Sequence, residues 1–200
     1  NNPTEPVDFS VHLNSDDTKH EDIESLPVVK LHKRFRWLFH PTEDLAICFA
    51  SPLLDLVKKQ CGMNIFCSFI SENMVATKPV LRELTALEKV TMVGYPIALS
   101  DEVHGLPVFR EGYTASHPAV DFNGTRSGLM DIAAWPGSSG SPIFVFNENG
   151  YKDRHGTLHV GAERLIFLGV QVSVPVTNIE GQVIVKNTPT IQGLTTQAYI

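Results

Sequence analysis

Apolar positions along this chain recur mostly at the two-residue spacing of half-buried strands. DFSVHL (8–13) alternates in part, and LPVVKLHKRFRWLF (26–39) places Val, Phe and Trp at strand-compatible intervals. DLAICFA (44–50), MNIFCSFI (63–70), KVTMVGYP (89–96), GYTAS (112–116), SPIFVFN (141–147), RLIFLGVQVSV (164–174) and QVIV (182–185) follow. Turn-forming clusters separate these runs: NSDD, HPTED, FNGTRSG, PGSSGSP, NENG and NIEG. PLLDLVKKQ (52–60) is the best helix candidate, and KPVLRELTALE (78–88) is a weaker second. Many short strands, few helices and no strand–helix alternation predict an all-β sandwich or barrel. The polar stretch from about 71 to 90 reads as a link between two halves.

A length of 200 residues suits one large domain or two small lobes. Hydrophobic residues make up 42% and charged residues 19%, enough apolar material for a packed core. The net charge of −6 speaks against a generic basic surface for nucleic acid. No apolar run approaches the roughly 18 residues that span a bilayer, so neither nucleic acid nor membrane is an expected partner. The polar opening NNPTEPVD lacks the charged start and apolar block of a signal peptide, and a cytoplasmic location is expected. Cys48 lies in the apolar run LAICFA and reads as a buried strand residue; five residues separate Cys61 from Cys67, which fits no common zinc spacing. All three read as reduced structural thiols, in agreement with a reducing compartment.

Two segments carry candidate chemistry. Asp131-Ile132-Ala133-Ala134-Trp135-Pro136-Gly137-Ser138-Ser139-Gly140-Ser141-Pro142 leads into the apolar run Ile143–Phe146. Its Gly-x-Ser-Gly core sets Ser139 on a tight turn between glycines, which take backbone conformations other residues avoid. Such a turn can aim the N–H groups of Gly137 and Ser139 at one spot beside the Ser139 hydroxyl, as an acyl-transfer oxyanion requires. The pattern alone equally describes an ordinary β-turn. His40-Pro41-Thr42-Glu43-Asp44-Leu45-Ala46-Ile47 sets an acid where an apolar strand begins. Asp44 there can be half-buried and hold a histidine in the right tautomer, or simply cap a turn.

Together the Asp-Leu-Ala-Ile and Gly-Ser-Ser-Gly-Ser-Pro runs resemble the chymotrypsin-like serine proteases, in particular bacterial trypsin-like peptidases of the HtrA-like kind. Asp131 stands eight residues before Ser139, as the family's nucleophile motif has it. Val93-Gly94-Tyr95-Pro96 looks like the family's Gly-x-Pro strand end, and Arg110-Glu111-Gly112 like the start of the following strand. Leu168-Gly169-Val170-Gln171 looks like the strand that walls the specificity pocket. The matches run in the family's order from about 8 to 185. The resemblance implies two packed antiparallel β-barrels: the first over 1–75, incomplete at its N-terminus, a linker over 76–90, and the second over 91–200. It implies Ser139 as nucleophile, Asp44 as the residue that orients the base, and the Gly137 and Ser139 N–H groups as oxyanion hole. It further implies a polypeptide substrate, no metal or organic cofactor, and further domains in a longer chain. Ala133, Gln171, Ser173 and Val174 would line or edge the substrate pocket.

The pattern breaks at the base. The mechanism needs a histidine between Asp44 and Ser139 in space. The family places it upstream of the Asp, before the strand that DFSVHL resembles, so here it is expected just before residue 1. His12, 32 residues before Asp44, is the weak in-chain alternative, with Val11 and Leu13 marking it as mid-strand. His20 lies in a charged loop, His32 in a basic strand and His40 in a turn; His104, His117, His155 and His159 come too late for the family order. His159 loosely resembles a pocket histidine of viral relatives, which raises a viral processing protease as a further reading. An Asp131/Glu111/His117 metal site is conceivable, but the spacing does not favour it. Ala133 occupies the position where trypsin carries the acid that binds Lys or Arg, so an apolar or small uncharged residue is expected before the cut bond. The loop 147–164 reads as a disordered surface loop, with a gate over the cleft or a partner site as alternatives. A serine endopeptidase is the leading expectation; a catalytically inactive protease-like binding or scaffold module is the alternative, motivated by the missing histidine.

Overall fold

The computed structural model describes residues 6–14, 26–97, 101 and 103–174, with the backbone alone at Phe9 and over 195–199. The chain forms two compact units, residues 1–69 with 102–105 and residues 70–101 with 106–200. Strands dominate, and every described pair of strands is antiparallel.

In the first unit, strand β1 (Val7–Asn14) pairs with β2 (Val28–Lys33) on one side and β5 (Asn64–Ile65) on the other. Strands β3 (Trp37–Phe39) and β4 (Ala46–Cys48) form a separate hairpin. Among the described residues these sheets do not close into a barrel. Helix α1 (Ser51–Cys61) starts with a proline in its first turn, where no N–H is needed, and carries Lys58 and Lys59 near its negative end. Gly62 ends it in the left-handed conformation (φ +67°). Val57 drives the helix into a core with Leu13 and Leu31, flanked by Val11, Val29 and Ile65. The apolar run 63–70 makes only a two-residue strand: the Phe66 N–H still donates to the His12 carbonyl at 2.8 Å, and Phe66–Ile70 are exposed. Cys48 and Cys61 are half-buried, Cys67 is exposed, and none of the three forms a disulfide.

The second unit begins with helix α2 (Lys78–Glu83) and is built on β6 (Lys89–Gly94), β7 (Val108–Thr114), β8 (Ser127–Asp131), β9 (Pro142–Asn147), β12 (Arg164–Ser173) and β13 (Thr195–Tyr199). These six strands close into an antiparallel barrel in the order β12-β13-β8-β7-β6-β9. The ten-residue β12 shifts register at Phe167/Gly169 and again at Gln171/Ser173, and such bulges bend a strand enough to serve a barrel. Val90, Met92, Met130, Ile132, Ile143, Val145 and Leu168 fill the interior. Leu81 and Leu84 join them, so the stretch 76–90 is part of the barrel's own packing. Strand β8 starts at Ser127, inside the FNGTRSG segment that the sequence marks as a turn: the turn closes earlier, at Phe122–Gly124. The strand expected at 182–185 lies outside the described residues.

The loop 147–164 is not irregular. It holds the hairpin of β10 (Gly150–Lys152) and β11 (Leu158–Val160). Asp153 fixes the connecting turn, its Oδ1 accepting from the N–H groups of His155 and Thr157, both at 2.9 Å. No described helix is long and apolar enough to cross a membrane.

Candidate active site

The segment between β8 and β9 forms a tight turn at one end of the barrel. Gly137 (φ +86°) and Gly140 (φ +84°) both adopt left-handed backbone, which only glycine takes without strain. Gly137 is required for space as well: a Cβ there would lie 2.7 Å from Ile97 Cγ1 and 2.9 Å from the Ile97 nitrogen. That approach is fixed by the Ile97 N–H, which donates to the Pro136 carbonyl at 2.9 Å. Gly94, at the end of β6, packs onto Ser141 so closely that a side chain would overlap its hydroxyl. The glycines at 94 and 137 thus let the end of β6 and the segment after it press against the serine turn.

Backbone donors of this turn divide into two sets. Ser138 N–H donates to the Trp135 carbonyl (3.0 Å), Gly140 N–H to Gln171 (2.7 Å) and Ser141 N–H to Ser138 (3.0 Å). The Gly137 and Ser139 N–H groups find no acceptor among the described residues. Ser138 is buried, with 1% of its surface exposed. Its Oγ accepts from Arg110 Nη1 at 2.7 Å and from the Trp135 N–H at 3.2 Å. Ser139 is exposed, and its hydroxyl makes only a long 3.5 Å contact to the Val172 carbonyl. One serine is locked inside while its neighbour is exposed, in a turn whose Gly137 and Ser139 N–H groups are uncommitted.

Of the pocket residues suggested by sequence, Ala133 lies in the segment leading into this turn and Gln171 bonds to it. Gln171 is buried and tied to it through the main chain, donating to Ser141 O at 2.9 Å as well as accepting from Gly140. Ala133 is half-buried, and its carbonyl accepts from Arg110 Nη1 at 3.3 Å. Ser173 is exposed and Val174 half-buried, directly along β12 from Gln171 and Val172. Arg110 is the member that sequence reasoning missed. Alternation along β7 turns Val108, Arg110, Gly112 and Thr114 inward, and an arginine in phase with an inward-facing set was the available signal. Burial pushes the Arg110 guanidinium below its usual value, and it remains a cation at neutral pH.

Asp44 belongs to the first unit and Ser139 to the second. Asp44 is exposed rather than half-buried, and it makes no hydrogen bond or ion pair among the described residues. The nearby His40 is committed locally, its Nδ1 accepting from the N–H groups of Thr42 (3.3 Å) and Glu43 (3.1 Å). His12 is mid-strand in β1, and its Nε2 bonds the His104 carbonyl at 2.7 Å. His32 pairs with Asp8 at 2.5 Å, and His117 Nδ1 accepts from Ala119 N–H at 3.1 Å. His159 bonds Asp153 at 2.9 Å and stacks on Tyr151 in the β10–β11 hairpin; His155 lies 3.6 Å from Glu83. His20 falls outside the described residues. No three His, Cys, Asp or Glu side chains are gathered for a metal among the described residues. Comparison of the chain with protein-family models, with curated proteins and with solved structures finds no match.

Proposed function

We propose that the protein is a serine endopeptidase of the chymotrypsin type, with its nucleophile turn on the barrel of the second unit. The observation that carries this reading is the pair of uncommitted N–H groups at Gly137 and Ser139 in the turn that carries the exposed Ser139 hydroxyl, while the N–H groups of Trp135, Ser138, Gly140 and Ser141 are bonded. Two such donors are what a tetrahedral oxyanion takes up. In this reading the Ser139 oxygen attacks the scissile carbonyl and its proton passes to a histidine acting as base. The carbon–nitrogen bond breaks as the proton is handed to the departing amine. Water, deprotonated by the same histidine, then attacks the acyl-enzyme and releases the acid with Ser139 reprotonated. Ala133, Gln171, Ser173 and Val174 receive the side chain before the cut bond, and no metal or organic cofactor takes part.

A second reading, a protease-like module that binds peptides without cutting them, is favoured by Asp44, which holds no histidine among the described residues. A peptide library incubated with the protein and read by mass spectrometry separates the two. The peptidase reading predicts new peptide termini that vanish in Ser139→Ala. Peptide binding with no cleavage by either protein would establish the binding module instead.

A further inference from the structure

Three buried side-chain polar atoms lack a hydrogen-bond partner among the described residues: Arg110 Nε, Arg110 Nη2 and Gln171 Oε1. Both residues are bonded to the serine turn, Arg110 through Ser138 Oγ and Gln171 through Gly140 and Ser141. Buried polar groups are nearly always satisfied, so their concentration at one place calls for a cause. Arg110 has no carboxylate within ion-pair reach among the described residues. Arg110 is half-buried, but its Nε and Nη2 atoms are out of solvent; such a cation without a counter-charge is costly, and a fold selected for stability alone would place an acid beside it. Position 138 is the natural seat for that acid, since its side chain already accepts from Arg110 Nη1 at 2.7 Å. It holds a neutral serine instead.

We propose that Arg110 is a positioning residue whose charge, left uncompensated by Ser138, makes the Gly137–Ser139 turn a seat for an oxyanion. The guanidinium holds Ser138, and Ser138 lies between the two uncommitted N–H groups. A full positive charge bonded to the turn at Ser138, with two of its nitrogens out of solvent, favours any ligand or intermediate that puts negative charge on those donors. The cost of leaving Arg110 unpaired in the resting protein is then recovered when the tetrahedral oxyanion forms. The inference rests on the peptidase reading and adds to it a field that the two N–H groups do not supply.

The test measures the second-order rate at which a fluorophosphonate probe labels Ser139, together with the thermal midpoint, in the parent and in Ser138→Asp, Arg110→Lys and Arg110→Met. An aspartate at 138 pairs with Arg110 and cancels its charge. The inference therefore expects Ser138→Asp to melt higher than the parent yet to label about tenfold more slowly or worse. A purely mechanical brace predicts the opposite, since a firmer bond to the turn preserves the rate. Arg110→Lys, which keeps the charge, is expected to label about tenfold faster than Arg110→Met, which keeps the length. The inference is overturned by a Ser138→Asp protein that labels as fast as the parent or melts lower, or by equal rates in the lysine and methionine variants. A parent that takes no label overturns the peptidase reading and this inference with it, whereas a labelled parent with indifferent variants overturns the inference alone.

Discussion

Single residues decide the geometry of the serine turn. Gly137 combines φ +86° with a backbone approach to Ile97 that leaves no room for a methyl group. Gly137→Ala must therefore rotate the peptide that carries one of the two uncommitted N–H groups. It is expected to lower stability by about 1–3 kcal/mol and to slow peptide cleavage by about 100-fold, measured by denaturant unfolding and by kcat. Parent-like cleavage in that variant would show that the Gly137 donor takes no part. Gly137 and Ser139 were legible in the sequence because glycine spacing reports backbone directly. Arg110 was not, because its neighbours Glu111 and Gly112 suggested no more than a strand start, and the charge matters only once β7 turns it toward Ser138.

At the scale of elements, the β10–β11 hairpin shows how a polar, loop-like sequence becomes ordered. Buried Glu88 accepts from Thr85 N–H (2.6 Å) and Thr85 Oγ1 (2.8 Å), and from Arg164 Nη2 at 2.5 Å. Arg164 also donates to Asn147 Oδ1 at 3.0 Å and lies 4.1 Å over the Tyr151 ring. Tyr151 stacks on His159, and His159 bonds Asp153. This relay ties the hairpin back to the start of β6, through contacts between residues up to 76 positions apart that no local pattern announces. The His159 hydrogen bond, helped by the N–H groups of Thr157 and His155, lowers the Asp153 carboxyl from 3.8 to about 2. A depressed carboxyl stabilises the fold above its unfolded value and gives that contribution up as it protonates in the native state. The hairpin's share is thus complete above about pH 4 and lost as pH falls toward 2. An NMR titration of Asp153 should find its midpoint near 2, with His159→Ala moving it up toward the ordinary value; a midpoint near 3.8 in the parent would contradict this account.

For the whole molecule, the preponderance of strands was readable from period-two apolar spacing, and most expected strands of the second unit appear, β6, β9 and β12 among them; β7 begins at Val108, four residues ahead of the expected GYTAS run. The barrel of the second unit was expected from the resemblance and not from the apolar pattern, since β8 and β13 fall in segments rich in Gly, Thr and Ser, where pairing with each other and with β7 and β12 substitutes for a hydrophobic signal. In the first unit, exposed apolar residues such as Phe49 and Phe69, each 70% exposed, imitate strand cores without forming them. The candidate site followed the same division: the serine turn came from a compact motif, and the pocket residues of β12 only from the resemblance. Asp44 is placed on another unit, where sequence alone does not tell a turn cap from a catalytic acid.

The central claim is that Ser139, and no other serine of the turn, is chemically activated. Intact-mass measurement after exposure to a fluorophosphonate, followed by peptide mapping, tests it directly. The account predicts a single adduct on Ser139, with Ser138 and Ser141 unmodified and no adduct in Ser139→Ala. An unlabelled parent, or an adduct that persists in Ser139→Ala, would contradict it.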